Sequence, residues 1–360
     1  MSDAIDVVVV GGGARGSAAA WVLARRWVEV VLLERFAPGH AFGASHGASR
    51  IFRLVYRDPL YVRFAREALA LWRELGGDVL TTTGGVDHGD LRDLPDVMAA
   101  AGAPGELLDP AAARERWPGF RFDGPVLFHP ASGRVHADRA VAALQDAARH
   151  SGAVVRHETP VLALRPREDS VDVVTGGGVL RARRAVVAVG AWTGKLLDGL
   201  VSLPLTVTQE QPAHFAPLTR HDWPAFIHHG VPAPGADAVY GLATPGEGVK
   251  VGLHGDGPVT DPDRRTFRPE PVRLDTLRRY VREWLPGLDA DAFDPISCTY
   301  TSTPTGDFVL DRLGPLVVAA GFSGHGFKFT PAVGRVVADL VLTGAAPETR
   351  WVIPATDPRP

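Results

Sequence analysis

Asparagine is absent from this chain of 360 residues, and cysteine, methionine and lysine are scarce, with one, two and three copies respectively. A single cysteine cannot form an internal disulfide, which favours a cytoplasmic location over an oxidising compartment. A coding bias toward alanine, glycine, arginine and proline explains these scarcities better than a thermophilic source, which would normally enrich lysine. The surviving lysines and the cysteine are therefore the first candidates for functional residues; they are Lys195, Lys250, Lys328 and Cys298.

The sequence also lacks a strong excess of charge, a long apolar run and an N-terminal targeting signal. Its net charge of −3 argues against a nucleic-acid or anionic-membrane partner, because such partners usually require a basic surface. No stretch approaches the ~20 apolar residues of a membrane span, and no basic segment precedes an apolar one at the N-terminus. With 45% hydrophobic and 22% charged residues, the composition is that of a globular protein with a substantial core.

Residues 5–34 follow the order strand, glycine-rich turn, helix and strand. The apolar run at 5–10 predicts a buried strand, 17–27 predicts a helix and 28–33 predicts a second strand. Three glycines between the first strand and the helix fit the spacing G-x-G-x-x-G. A lone motif of this kind is weak evidence, but its occurrence in this context predicts a dinucleotide-binding unit.

The three glycines and an acidic residue have distinct expected roles in that unit. Gly11 permits the tight turn, Gly13 lets backbone N–H groups approach a pyrophosphate, and Gly16 lets the helix pack close to the strand. The pyrophosphate would lie at the helix N-terminus, where unpaired N–H groups favour an anion. Glu34, at the end of the second strand, can accept hydrogen bonds from ribose hydroxyls. These features alone do not separate FAD from NAD.

Similar signals recur late in the chain, separated by β-rich inserts. A buried strand at 184–192 leads into a short helix, and a strand at 316–320 leads into a final helix. Asp138 is expected to cap a helix that runs to His150. We therefore expect an α/β fold with a Rossmann-like domain assembled from residues 1–85, 138–205 and 295–360. Residues 86–137 and 206–294 would form a β-rich α+β domain that binds the substrate.

Adjacent histidines at 228 and 229 could suggest a metal site. Consecutive residues in a strand point to opposite faces, so the two imidazoles seldom share one ion. We expect no metal.

Four further stretches carry a resemblance to a known family. They are Ser45-His46-Gly47-Ala48-Ser49-Arg50-Ile51-Phe52-Arg53, Lys250 to His254, Cys298-Thr299-Tyr300-Thr301, and Ala319 to Phe329. Over nearly its whole length the chain resembles the monomeric sarcosine oxidase and N-methyltryptophan oxidase family, within the D-amino-acid-oxidase-like flavoproteins. The resemblance implies FAD as cofactor and a monomeric oxidase of secondary amino acids, N-methyl or cyclic, such as sarcosine. The expected products are an imine, which water hydrolyses, and hydrogen peroxide from molecular oxygen.

The resemblance also implies roles for individual residues. Cys298 would form a thioether to the 8α carbon of the flavin. Lys250 would lie over the flavin and promote its reaction with oxygen, because a fixed cation stabilises developing negative charge. Arg53 and Lys328 would bind the substrate carboxylate, the first through a planar fork and the second as a point charge.

The remaining implied residues line the substrate pocket or the flavin. His254 and Tyr240 would line the amine and the pocket wall, although ordinary hydrogen-bonded strand residues explain them nearly as well. His46 and Arg50 belong near the flavin ring, and His325 is expected to shape the flavin-binding turn. The other expected FAD contacts are Arg35, Ser45, Gly190, Trp192, Gly321, Gly324, Gly326, Phe327 and Lys328.

Two stretches depart from the sarcosine oxidase pattern. Residues 56–59 lack a glycine-rich turn, and residues 228–239 are longer and carry the two histidines. Both are expected on the substrate side, so the amine stays open between sarcosine-like and pipecolate-like substrates. Two other functions also stay open, namely a flavin-dependent amine dehydrogenase of the same fold and a flavin-binding subunit without turnover.

Overall fold

A computed structural model describes residues 4–219, 221–231, 236–345 and 348–353. The described residues form two compact units, each built from separate segments of the chain. The first unit takes its residues from 1–46, 137–207 and 300–360, and the second from 47–136 and 208–299. Some residues that the sequence analysis assigned lie outside the described residues. They are 1–3 and 354–360 of the predicted first domain and 232–235 of the stretch 228–239.

The first unit is built on a largely parallel sheet. Among the described residues this sheet has eight strands, and its central strands are buried valine- and leucine-rich segments, as expected for a sheet covered on both faces. Six strands lie in the spatial order Val161–Pro166, Val171–Thr175, Gly178–Val187, Ile5–Val10, Val30–Leu33 and Val154–Arg156. Leu316–Ala320 pairs in parallel with Gly178–Val187 and antiparallel with Val309–Leu313.

The first and last helices of the first unit, Ala14–Arg25 and Thr330–Thr343, pack closely because small residues lie between them. Gly334 allows the last helix to approach the first one, because a Cβ at this position would lie 2.7 Å from the backbone oxygen of Ala18. The helices are Ala14–Arg25, Ala137–His150, Thr193–Leu196 and Thr330–Thr343, with 3₁₀ turns at Gly190–Trp192, Phe327–Phe329 and Thr349–Trp351.

The second unit is built on a mixed sheet with a helix-covered aromatic core. Among the described residues the sheet has eight strands, and a second sheet has three. The eight lie in the order Leu288–Pro295, Ala213–Pro217, Gly248–Leu253, Ala238–Thr244, Ala225–His229, Gly85–Gly89, Val126–His129 and Glu106–Leu108. The three are Arg50–Phe52, Gly133–Val135 and Leu80–Thr82. The helices are Pro59–Leu75, Leu94–Ala100, Pro110–Arg116 and Pro271–Trp284.

Local sequence signals set the bounds of the longest helix. The Asp58 side chain accepts a hydrogen bond from the Leu60 backbone N–H at 2.8 Å, and Pro59 occupies the first helical turn. Gly76 ends the helix with φ of +69°, a conformation that favours glycine. No helix in the part of the chain that the structure describes is both long and apolar enough to cross a membrane.

The predicted α/β class, with a Rossmann-like unit assembled from discontinuous segments, is confirmed, whereas three details differ. Residues 47–85 belong to the second unit, because their strands pair with Gly133–Val135, Val126–His129 and Ala225–His229. Residues 295–299, which include Cys298 and were predicted in the first domain, also belong to the second unit. Asp138, which was predicted to precede the helix as its cap, lies inside the first turn of the helix Ala137–His150. The chain passes between the units within the strands Thr206–Glu210 and Cys298–Ser302.

Candidate active site

The glycine-rich turn of the first unit has the geometry that its spacing predicts. Gly11 has φ of +101°, and a Cβ there would lie 2.5 Å from the Ala188 oxygen. A Cβ at Gly16 would lie 1.8 Å from the Gly11 oxygen, so only glycine allows the helix to start this close to the strand. Gly13 is the extended residue before the helix Ala14–Arg25. The turn therefore leaves backbone N–H groups directed out of the helix N-terminus.

Glu34 and Ser45 hold this turn from two sides. The buried carboxylate of Glu34 accepts hydrogen bonds from the Gly12 N–H at 2.6 Å and from the Phe36 N–H at 2.9 Å. The Ser45 hydroxyl accepts one from the Ala14 N–H at 3.1 Å. A carboxylate has about four acceptor positions, so Glu34 keeps capacity for ribose hydroxyls.

Gln145 also holds the glycine-rich turn, although no sequence pattern indicated this role. Its side-chain amide donates to the Gly12 oxygen at 2.9 Å, and its carbonyl oxygen lies 3.0 Å from His157 Nε2. Gln145 lies on the inner face of the helix Ala137–His150, where a buried amide is indistinguishable in sequence from an ordinary surface residue.

Arg35 follows Glu34 in the chain, and its guanidinium lies over two aromatic rings. The Arg35 guanidinium lies 5.0 Å from the Phe36 ring centre and 5.7 Å from that of Trp192. Gly190, with φ of +56°, begins the 3₁₀ turn that carries Trp192.

The segment 321–329 is a constrained turn in the first unit. Gly321 and Gly324 have φ of +63° and +73°, and a Cβ at Gly324 would lie 2.2 Å from the Tyr300 ring. A Cβ at Gly326 would lie 2.6 Å from the Cβ of Phe322. These close approaches explain why glycine occupies the three positions.

Two basic residues of this turn have defined backbone partners. His325 Nε2 lies 3.0 Å from the Gly306 oxygen, a contact expected of a residue that shapes the turn. Lys328 is 3% exposed, and its ammonium donates to the His325 oxygen at 2.7 Å. Phe327 and Lys328 lie in the 3₁₀ turn before the last helix, and His46 ends the first segment of the unit.

The second unit brings Lys250, Arg50 and Cys298 together. Lys250 is 5% exposed on the central strand Gly248–Leu253, and its Nζ lies 3.5 Å from the Ser49 backbone oxygen. Arg50 Nη1 donates to the same oxygen at 2.9 Å, while its Nη2 lies 3.8 Å from Cys298 Sγ. Burial, followed by the nearby charge of Arg50, lowers the pKa of Lys250 to about 7. The buried ammonium of this lysine is therefore much easier to deprotonate than that of an exposed lysine.

Three buried polar side chains beside Lys250 form a chain of contacts that no sequence pattern predicts. The Ser49 and Thr244 hydroxyl oxygens are 2.6 Å apart, and His214 Nε2 lies 3.2 Å from Thr244 Oγ1. Burial, with the charge of Lys250 next, lowers the pKa of His214 to about 4. The imidazole is therefore neutral, and its role depends on strand pairing that a linear pattern does not reveal.

Arg53 lies against an internal carboxylate. Its Nη1 is 3.7 Å from Asp87 Oδ1 and donates to the Val55 backbone oxygen, and its guanidinium lies 4.3 Å from the Tyr56 ring centre. Asp87 Oδ1 is also 2.7 Å from His229 Nε2. Burial raises the pKa of Tyr56 to about 12, so the phenol stays neutral. Asp87 and His229 were not among the predicted site residues.

Tyr240 and His254 flank the lysine strand. Tyr240 lies opposite Gly252, where a Cβ would come within 2.7 Å of the tyrosine ring, so glycine leaves space for that ring. Gly252 and Lys250 share one face of the strand because they are two residues apart. The His254 backbone N–H donates to the Ala238 oxygen just beyond the strand end.

The histidine pair that raised the question of a metal has separate partners. His228 Nδ1 lies 3.1 Å from the Tyr280 hydroxyl, whereas His229 Nε2 contacts Asp87. Within the described residues, no group of three or more histidine, cysteine, aspartate or glutamate side chains is arranged to hold a metal ion.

The first unit, with its strand, glycine-rich turn and helix, defines a dinucleotide-binding protein of the Rossmann class. The chain belongs to the family described as DAO, FAD dependent oxidoreductase, whose profile matches residues 6–340. It is 34% identical to monomeric sarcosine oxidase of Bacillus sp. (strain NS-129), over 96% of this chain and 94% of that one. It is 30% identical to N-methyl-L-tryptophan oxidase of Yersinia pestis (strain Pestoides F), over 92% of this chain and 94% of that one.

A solved structure shows the same architecture. NikD, described as an unusual amino acid oxidase essential for nikkomycin biosynthesis, superposes with a TM-score of 0.86 at 29% identity, over 98% of both chains. The resemblance to the sarcosine oxidase and N-methyltryptophan oxidase family is therefore confirmed.

The residues of the first unit fit FAD, the cofactor of this family. A Cβ at Gly11 or Gly16 would collide with a backbone oxygen, so glycine at both positions lets the helix begin directly after the strand. Ser45 accepts a hydrogen bond from the first N–H of that helix. This arrangement suits the pyrophosphate of a dinucleotide, while Glu34 suits the ribose.

Proposed function

We propose that the chain is an FAD-dependent oxidase of secondary amino acids, N-methyl or cyclic, that uses molecular oxygen and releases hydrogen peroxide. The observation that carries the proposal is the assembly of Arg50, Lys250 and Cys298, which are distant in sequence, within one contact group. The cofactor, when bound, supplies the redox chemistry by accepting a hydride from the carbon beside the amine and passing electrons to oxygen. The protein supplies position and charge.

Lys250 is the proposed oxygen-activating cation. Its pKa of about 7 reflects the cost of burying the charge. Negative charge that develops on oxygen beside the ammonium would favour its cationic form and be stabilised by it. The alternative of an amine dehydrogenase does not need such a cation, which is why the lysine favours the oxidase.

Cys298 is the proposed attachment point of the flavin. It is the sole cysteine of the chain, it is only partly buried, and the structure describes no disulfide partner for it. The position of Cys298 beside Arg50 also supports this attachment. We expect Arg50, together with His46, to lie near the flavin ring. The further FAD contacts remain those that the family resemblance implies.

Arg53 is the proposed carboxylate anchor of the second unit, with Tyr240 and His254 lining the pocket. Its guanidinium is held against the Tyr56 ring, which orients its planar fork. Lys328, in the first unit, remains the second carboxylate-binding residue that the resemblance implies. A cytoplasmic location and a monomeric state also remain predictions.

Peroxide release from a panel of amines tests the proposed function. Sarcosine, other N-methyl amino acids, proline and pipecolate should include at least one substrate, whereas the amide of that substrate should turn over much more slowly. Arg53→Gln and Lys328→Gln should each lower kcat/KM by about 30-fold or more, since losing one partner of a charged contact costs roughly 2–5 kcal/mol. FAD should stay bound in Arg53→Gln.

Two results would redirect the proposal. Equal turnover of the acid and its amide would show that no carboxylate is recognised. Bleaching of the flavin by an amine without peroxide release in air would instead favour the dehydrogenase, and no bleaching by any amine would favour a non-catalytic subunit.

A further inference from the structure

Arg15 puts a positive charge in the first turn of the helix Ala14–Arg25. It is the second residue of that helix, directly after the glycine-rich turn, and the first helical turn (residues 14–17) carries no acidic side chain. A cation is unfavourable at this end of a helix, because the macrodipole and the unpaired N–H groups already make it positive. An anion bound at the same end would relieve this repulsion.

The side chain of Arg15 reaches the segment 321–329 of the same unit. Long side chains on a helix lean back toward its N-terminus. The guanidinium carbon of Arg15 lies 4.4 Å from the centre of the Phe322 ring and 5.6 Å from that of Phe327. One guanidinium nitrogen also lies directly beside Gly326, in space that a Cβ there would occupy. Arg15 therefore connects the glycine-rich turn with the second segment that we expect to bind FAD.

The aromatic contacts position the cation without neutralising it. Phenylalanine rings attract a guanidinium through their quadrupole but carry no net charge. A guanidinium whose face lies on a ring still presents N–H donors along its edge. Phosphate oxygens match this planar fork of donors.

The pyrophosphate is the anionic part of FAD, and the glycine-rich turn is suited to bind it. The backbone N–H groups of this turn supply hydrogen bonds, whereas Arg15 adds a full positive charge at the same end of the helix. We propose that Arg15 is a further FAD-binding residue, whose guanidinium pairs with the pyrophosphate while Phe322 and Phe327 hold it in place. The inference concerns the cofactor and does not depend on the substrate or on the electron acceptor.

The dissociation constant of FAD tests this pairing. Cys298→Ser is the reference protein, because a covalent bond at Cys298 would hide any change in affinity. The fluorescence of released FAD measures its dissociation from this holoenzyme. In the same background, Arg15→Met keeps an apolar side chain against the rings and removes the charge, so it should raise the dissociation constant by about ten-fold or more. An unchanged dissociation constant would overturn the proposal.

Two further neutral or charged variants at the same position separate charge from packing. Arg15→Gln, also neutral, should weaken FAD binding as Arg15→Met does. Arg15→Lys keeps a charge that binds phosphate and should weaken it less than either. Equal losses in the lysine and methionine variants would mean that the side chain acts through packing alone, and the proposal would fail.

Arg25→Met is the matched control. Arg25 belongs to the same helix, is exposed at its other end and also lies over an aromatic ring, with its guanidinium 5.0 Å from the centre of the Trp21 ring. Its replacement should leave the dissociation constant of FAD within about two-fold of the reference, as expected for a surface substitution. A loss as large as that in Arg15→Met would contradict a specific role for Arg15.

Displacement of FAD by ADP and by adenosine identifies the part of the cofactor that Arg15 contacts. Both compounds compete for the adenosine end of the site, but only ADP carries the pyrophosphate. With FAD in excess of its dissociation constant, ADP should half-displace it at the same concentration from the reference and from Arg15→Met, because FAD and ADP lose the same contact. Adenosine should displace FAD from the variant at about ten-fold lower concentration, since only FAD is weakened. If ADP also acts at lower concentration, Arg15 serves the flavin half of the cofactor and the proposal is wrong.

Discussion

His214 lies directly opposite Lys250 where the strands Ala213–Pro217 and Gly248–Leu253 pair. Directly opposed residues of antiparallel strands project from the same face. Both side chains are buried, and the charge of Lys250 is the second cause, after burial, of the low pKa of His214. The histidine therefore stays neutral. Because the strand register places it opposite Lys250 in a buried position, no second positive charge develops beside the lysine.

Lys250→Met should slow the reaction of the reduced enzyme with oxygen far more than its reduction by substrate. Removing one preorganised electrostatic group typically costs about 10²–10³ in rate. Stopped-flow absorbance measures the two half-reactions separately. Lys195→Met is the matched control, since Lys195 is exposed and should change neither rate. Equal slowing of both half-reactions would make Lys250 a structural or substrate-binding residue.

The buried lysine should also give the stability a defined pH dependence. Its pKa falls from 10.5 when unfolded to about 7 when folded, so the unfolded chain binds more protons between these values. Wild-type stability should therefore rise with pH across that window, while below about 7 the full cost of burying the charge remains. Lys250→Met removes the cost and should be more stable by roughly 2–5 kcal/mol on the acidic side.

Urea unfolding of both proteins on either side of neutrality checks this sign. The advantage of the methionine variant should shrink as the pH rises toward 10.5. An advantage that grows with pH, or that does not depend on pH, would contradict the assignment.

Thr244→Val should destabilise the protein by about 1–3 kcal/mol, because it leaves the buried Ser49 hydroxyl and His214 without this partner. Thr219 offers a matched control, since its hydroxyl contacts His221 at the exposed surface and Thr219→Val should cost much less. Chemical denaturation measures both differences. Equal losses of stability in the two variants would mean that the buried contacts of Thr244 with Ser49 and His214 add no stability beyond that of a surface contact.

The flavin should be attached covalently through Cys298. After acid precipitation and washing, the wild-type pellet should stay yellow, while Cys298→Ser should release its FAD into the supernatant. Protein produced with ample flavin is required for both samples. A colourless wild-type pellet would rule out the thioether.

Much of the first unit could be predicted from sequence because its signals are local. Gly11 needs a positive φ, Gly16 must lack a Cβ beside the Gly11 oxygen, and the flanking strands are continuous apolar runs. These requirements involve residues close together in the chain. The boundary at residues 47–85 was missed because strand partners, and not local patterns, assign that segment to the second unit.

By itself, the sequence determined the strand–turn–helix unit, the family and the identities of Lys250, Arg53 and Cys298 as candidates. Tertiary structure alone decided what surrounds them. His214 opposes Lys250 through the pairing of two strands, and Asp87 lies 3.7 Å from Arg53 as an ion pair. In both cases the two residues are more than thirty positions apart in the chain. A buried polar residue has no periodicity of its own, and a shift of one residue in register would direct it to the other face of the sheet. The charges around the candidate site are therefore set by sheet register, which only the folded chain defines.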